Sequence, residues 1–179
     1  MVTELDVLKL VSERLSATQI QFMLTGSFAL AFYATPRMTR DLDLVVRLGE
    51  RDVSPVIKAF SDDFYVDPDD AHTAVQSRRM FNLMHLQSGI KVDFIIRKDS
   101  EYRRVEFERR RAVRFAGIDT WIVSREDLIL SKLLWSQESN SETQRRDVAA
   151  LTHTSLDWAY LRQWAGSLGV SSDLERYLI

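Results

Sequence analysis

Gly26-Ser27-Phe28-Ala29-Leu30-Ala31-Phe32-Tyr33, followed after a short connection by Asp41-Leu42-Asp43-Leu44-Val45-Val46, is the stretch that decides the fold. The Gly-Ser step reads as a tight turn, and Phe28 to Tyr33 as a short helix that ends before Pro36. Leu42 to Val46 reads as a strand. In a strand, residues two apart share a face, so Asp41 and Asp43 present their carboxylates side by side. Two like charges that close need a positive partner, and a divalent cation is the usual one. A Gly-Ser turn at a helix start is a place for phosphate, because free N–H groups and the positive helix end point at the anion. Together the two features point to metal-assisted chemistry on a nucleotide.

The chain around this stretch is an ordinary globular one. It has 179 residues, 45% of them apolar and 10% aromatic, which suits a single domain with a sizeable core. The net charge of -2 does not announce a nucleic-acid binder. There is no cysteine, so a disulfide framework and a thiolate zinc site are excluded. His72, His85 and His153 lie far apart without ligand spacing. Met1 to Leu10 alternates charged and apolar residues and lacks a signal peptide's core. No apolar run approaches the roughly 20 residues that span a bilayer. A cytoplasmic protein without a membrane partner is expected.

Periodicity supplies the remaining elements. Leu5, Val7, Leu8, Leu10, Val11 and Leu15 predict a first helix over about Thr3 to Leu15. Gln21 to Thr25 reads as a buried strand, and Asp52 to Phe60 as a helix with Pro55 in its first turn. Asp62 to Asp70 reads as an acidic loop around a short strand at Tyr65-Val66. Met80–Leu86 and Ile90–Ile96 form a hairpin, and Arg111–Phe115 pairs with Thr120–Val123 across a turn at Gly117. Ser124-Arg125-Glu126-Asp127 resembles a capping box and opens a helix through Trp135. A polar break is expected at Ser136 to Ser141, then helices over Glu142–Leu151, Ser155–Trp164 and Ser172–Leu178. The expected fold is α/β (α+β): a mixed, twisted sheet flanked by helices in residues 1–123, with a C-terminal helical segment, 124–179, that packs on it and completes the site.

Asp93 extends the site. In Ile90-Lys91-Val92-Asp93-Phe94-Ile95-Ile96, Val92, Phe94 and Ile96 share the core face and Asp93 points the other way. If this strand neighbours Leu42–Val46, three carboxylates converge and can hold one or two Mg2+ ions. Otherwise Asp93 sits on a solvated face or guards an edge. Lys132 falls within an apolar helical arc; it either aims its ammonium at an anion or snorkels to water. Asp147, on the following helix, can pair with Lys132, act as a base, or bind Arg145 or Arg146. Ser27 is a phosphate contact, a helix N-cap, or both. Arg37 and Arg40 flank the aspartates and can neutralise triphosphate charge. Arg103, Arg104, Arg109, Arg110, Arg111 and Arg114, among Glu101, Glu106 and Glu108, read either as a salt-bridged strand face or as an RNA-facing surface. Trp121, Trp135, Trp158 and Trp164 read as core or interface.

The order strand, Gly26-Ser27, helix, Asp41-Leu42-Asp43, with Asp93 on a later strand, resembles the nucleotidyltransferase fold of the DNA polymerase β type. Within it, Arg37-Met38-Thr39-Arg40-Asp41-Leu42-Asp43, then Ser124-Arg125-Glu126-Asp127-Leu128 with Lys132, then Arg146-Asp147, is similar to the AbiEii-like toxin and phage-defence nucleotidyltransferases. The resemblance covers about Gln21 to Leu151. It implies transfer of NMP from an NTP to an acceptor hydroxyl, on tRNA or another RNA, or on a protein. It implies Mg2+ on Asp41, Asp43 and Asp93, with Asp93 also able to take the hydroxyl proton. Gly26, Ser27, Arg37, Arg40 and Lys132 would hold the nucleotide, ATP among the candidates, and Lys132 and Asp147 would be catalytic. It implies an antitoxin partner. The other reading of the same residues is a catalytically silent module that binds a nucleotide or a protein.

Overall fold

The structure is a computed structural model and describes residues 1–35, 39–139, 141–153 and 155–177. Arg37 lies outside the described residues. Elements follow in the order α1 (Glu4–Ala17), β1 (Phe22–Leu24), α2 (Gly26–Tyr33), β2 (Leu42–Val46), α3 (Glu50–Phe60), β3 (Phe64–Val66), α4 (Pro68–Ser77), β4 (Met80–His85), β5 (Lys91–Ile96), α5 (Glu101–Glu108), β6 (Arg111–Phe115), β7 (Ile118–Ile122), α6 (Arg125–Ser139), α7 (Glu142–Leu151), α8 (Trp158–Leu168) and α9 (Ser171–Glu175). Among the described residues the strands form one seven-stranded mixed sheet, ordered β3-β4-β5-β2-β1-β7-β6. β2 runs parallel to β5 and antiparallel to β1, and β1 runs parallel to β7.

The sheet has two unlike faces. Leu42, Leu44 and Val46 of β2, with Val92, Phe94 and Ile96 of β5, are buried on one of them. Phe60 of α3 meets Phe94 and Phe64 edge to face there, and Phe94 meets Phe81. Such rings contribute roughly 1.5–3 kcal/mol each by burial. The alternate residues Asp43, Val45, Lys91, Asp93 and Ile95 fall on the opposite face, toward which α2 and α6 pack. The fold is therefore the expected one. Among the described residues, no helix is long and apolar enough to cross a membrane.

Several local expectations are corrected. Residues 68–70 belong to a helix rather than a loop: Asp67 caps α4 by accepting from the N–H groups of Asp69 and Asp70, and Pro68 stands in the first turn. Pro55 lies inside α3, because Gly49 rather than a later residue begins it and Asp52 bonds back to the Gly49 N–H. Arg51 and Pro55 are both exposed, so water can meet the carbonyl that proline leaves unpaired. The break at Ser136 does not occur. Ser136 donates to the Leu133 carbonyl, and Gln137 reaches Gly169 and Asp173, so polar residues are satisfied without ending α6. Residues 101–108 form the helix α5, so Arg103 and Arg104 are not on a strand face, whereas Arg111 and Arg114 stand on β6.

Candidate active site

Sheet register builds the centre of the site. Asp43 of β2 lies directly beside Asp93 of β5 in the parallel pair. α2 begins against them: the Thr25 N–H donates to the Asp43 carbonyl at 2.9 Å. Gly26 follows at φ +63, in the left-handed region, and a Cβ there would overlap the Asp43 carboxylate. Only glycine lets the helix start approach this closely. The structure places the N-cap at Thr25, so Ser27 is not the N-cap; it is buried in the first turn.

Burial and repulsion dominate the electrostatics. Asp43 is pushed up to about 6 by burial first, then by the Asp93 and Asp41 charges, with Lys132 and Lys91 opposing. Asp93 is 6% exposed, not solvated, and burial raises its pKa against the opposing pull of Lys91. Lys91 stands two residues before Asp93 on the same face. Its ammonium lies 3.1 Å from Asp93 and 3.6 Å from Asp41. Sequence reading missed this lysine, although the alternation Lys91-Val92-Asp93 was a signal for it. Arg40 is exposed and borders the same groove as Asp41 and Lys91.

Among the described residues, no group of three or more histidine, aspartate or glutamate side chains is arranged to hold a metal ion as it stands. Asp41 is drawn to Lys91 instead of closing on the other two. The Asp43–Asp93 pair nevertheless fits a divalent cation. One Asp93 oxygen, Oδ1, is buried without a hydrogen-bond partner among the described residues, and both carboxyl pKa values are raised, first by burial and then by neighbouring acids, beyond what the nearby lysines offset.

α6 brings Lys132 over the site. The start of α6 is held by Asp127, which is fully buried. Its carboxylate accepts from Ser124 Oγ at 2.5 Å, Tyr160 at 2.6 Å and Arg109 at 3.1 Å. One turn on, Lys132 is 0% exposed, which removes the snorkelling alternative. Its Nζ donates to Asp147 Oδ2 at 2.6 Å and to Gln144 at 3.1 Å. Lys132 and Asp147 are thus joined to each other, and Lys132 also acts on the Asp43 charge.

The arginine run is mostly structural. Arg103 pairs with the buried Glu106, Arg109 with Asp127 and the Tyr160 ring, and Arg110 packs on Phe107 and Trp121. Arg104, Arg111 and Arg114 remain exposed.

Comparison with known proteins agrees with this geometry. The family model "Nucleotidyl transferase AbiEii toxin, Type IV TA system" matches residues 10–149. No curated protein sequence matches the chain. A solved antigenic nucleotidyltransferase-like protein from Paracoccidioides brasiliensis is similar in fold, at 18% identity over 96% of this chain and 90% of that one, with a TM-score of 0.61. The antibiotic-resistance factor ANT(2'')-Ia is similar at 12% identity over 96% and 95%, with a TM-score of 0.61. The lincosamide antibiotic adenylyltransferase LnuA, bound to lincomycin, is similar at 14% over 86% and 99%, with a TM-score of 0.56. The matched span runs from α1 to α7 and takes in the Gly-Ser turn, Asp41, Asp43, Asp93, Lys132 and Asp147, so the chain belongs to the AbiEii nucleotidyl transferase family and is a transferase.

Proposed function

We propose that this chain is a Mg2+-dependent enzyme that moves NMP from an NTP to an acceptor hydroxyl, on RNA such as tRNA or on a protein. It would act in the cytoplasm as the toxin of a toxin–antitoxin pair, with an antitoxin partner. The observation that carries the reading is the Asp43–Asp93 pair set beside the start of α2, with an orphaned carboxylate oxygen in it.

Each residue has a task in this scheme. The first N–H groups of α2, around Gly26 and Ser27, bind the triphosphate with the positive end of the helix. Asp43 and Asp93 would hold the metal, and Asp41, now paired with Lys91, would be a third ligand. When bound, Mg2+ neutralises phosphate oxygens and lowers the pKa of the acceptor hydroxyl. The acceptor oxygen forms its bond to the α-phosphorus as the bond to the β-phosphate oxygen breaks and pyrophosphate leaves. Asp93, where it does not serve as a metal ligand, would take the hydroxyl proton. Lys132 sets positive charge over the site, and Asp147 fixes the direction of its ammonium. Arg40, at the groove of Asp41 and Lys91, offsets the charge of the outgoing phosphates. Catalysis on these terms is positioning and charge neutralisation, and C-terminal α6 and α7 complete the site that residues 1–123 begin.

The test is label transfer. Protein, Mg2+ and each α-labelled NTP are incubated with tRNA or with lysate protein, beside an Asp41→Ala/Asp43→Ala variant. Label on RNA or on a protein band, lost in the variant, is the expected result and names the acceptor. No label with any acceptor would refute the reading and favour a silent binding module.

A further inference from the structure

A half-open cleft lies along the sheet from the carboxylates. Val45 and Ile95 line it, each two residues beyond Asp43 and Asp93 on the same strand and the same face. At about 3.3 Å of rise per residue, the cleft lies roughly 6–7 Å along the sheet from the acids. Thr25, next to Gly26, lines it from the phosphate side. Ser131 and Trp135, which flank Lys132 on α6, line it from above. A nucleotide with its phosphates at α2 must send its sugar and base away from the metal pair; the groove at Arg40, Asp41 and Lys91 lies on one side of the acids, and this cleft on the side toward Thr25 and α6.

The chemistry of one wall is specific. Arg103 gives a single amino group, NH1, to both Glu106 oxygens and to Ser131, each at 2.8 Å. Ser131 donates to Glu106 Oε1 as well, so the Glu106 acceptors are engaged. Glu106 is 2% exposed, whereas the Arg103 side chain is 25% exposed. Among the described residues, the Nε–H and the second amino group of Arg103 have no hydrogen-bond partner. The Tyr102 ring lies under the guanidinium at 5.2 Å and holds its plane. A buried ion pair that spends one amino group internally and leaves the rest at a cleft presents donors to a ligand, not acceptors. The half-buried indole of Trp135 offers a flat apolar face beside them.

We propose that this cleft is the nucleobase site of the nucleotide substrate. Trp135 stacks on the base, and the free N–H groups of Arg103 bind a base carbonyl. Guanine, cytosine and uracil carry such a carbonyl, whereas adenine offers only ring-nitrogen acceptors, so the site favours the first three over ATP. The inference rests on the transferase reading, and its test separates the two.

The full chain is titrated with GTP, CTP, UTP, ATP and inorganic tripolyphosphate in the presence of Mg2+, by calorimetry and by tryptophan fluorescence. The three carbonyl-bearing NTPs are expected to quench fluorescence and to bind more tightly than ATP; tripolyphosphate should bind without quenching. Trp135→Phe should abolish the quench although Trp121, Trp158 and Trp164 remain. Trp135→Ala should weaken NTP binding by about 5- to 150-fold, the range of base–aromatic stacking, and change tripolyphosphate binding less than twofold. Arg103→Lys keeps a charge for Glu106 but loses the fork, and should bring ATP level with the other NTPs. NTPs and tripolyphosphate that bind alike, unaffected by Trp135→Phe, would overturn the base site and leave the transferase reading standing. So would variants that raise KM for the acceptor while NTP affinity is unchanged. Absence of all binding by the wild type would overturn both.

Discussion

Replacing Lys132 by methionine should separate two roles that its position combines. Lys132 is fully buried, and Asp147 is 4% exposed. Lys132→Met would leave the Asp147 carboxylate in the interior without the ammonium now 2.6 Å away. Breaking one side of a buried pair costs about 3–5 kcal/mol. At about 2–4 °C per kcal/mol for a domain of this size, the melting temperature should fall by roughly 6–20 °C. The further contact that Asp147 keeps draws the loss toward the lower end. The double variant Lys132→Met/Asp147→Leu removes both charges and fills the space with apolar atoms, which is often neutral for stability. Its melting temperature should return to within a few degrees of the wild type. NMP transfer should stay lost in both variants, because Asp43 loses a cation that holds its pKa down. Calorimetric melts and label transfer on the same preparations make the comparison. Wild-type transfer by the double variant would show that Lys132 only supports the fold. A Lys132→Met melt equal to the wild type would refute the energetic reasoning itself.

Two further substitutions address the acids. Gly26→Ala places a side chain at φ +63, which costs about 1–2 kcal/mol, and displaces the Asp43 carboxylate; Mg2+-dependent NTP binding, read by calorimetry, should be lost while the protein still melts cooperatively. Asp43 has a folded pKa of about 6 against an ordinary 3.8. A raised carboxyl pKa destabilises the metal-free folded state above pH 6, and that cost is relieved as pH falls through 6 toward 3.8. It amounts to about 3 kcal/mol at most. Asp43→Asn should therefore raise the metal-free melting temperature at pH 7.5 and flatten the gain seen on acidification to pH 5. An unchanged pH profile would contradict the assigned burial and repulsion.

The sequence was most legible where periodicity and position agreed. Leu42–Val46 and Glu142–Leu151 were read with their observed bounds, and the neighbouring of Asp43 and Asp93 followed from one conditional, that their strands pair. α4 was not legible, because its buried positions Ala71, Ala74 and Val75 are small and its start is masked by a proline in an acidic run. The arginine run was legible as salt-bridged, since Arg103 and Arg110 pair with nearby Glu106 and Glu108, but its helical start was not, and Arg109 finds Asp127 and Tyr160 only through packing of α6 and α8. Lys91 was overlooked for a different reason. Like charges suggested an external cation, and the internal ammonium that meets both Asp41 and Asp93 came from the same strand as one of them. Trp135 was read as core or interface, yet it lies at an open cleft, since a helical wheel gives the apolar side but not where that side runs past the sheet.

The parallel register of β2 and β5 has a consequence for how this site tolerates change. Asp43 and Asp93 are held at the spacing of neighbouring strands, a length fixed by backbone hydrogen bonds and not by any loop. Residues added to or removed from the β4–β5 turn at Gln87–Gly89, or the connection from β2 to α3, leave that length untouched. A slip of β5 by one residue would instead turn Asp93 into the apolar layer and lift Phe94 out of it. Such a chain would lose its core and its site together. The acids are therefore guarded by the stability of the fold, and drift in the surrounding loops is free to alter what the enzyme modifies without altering how it does so.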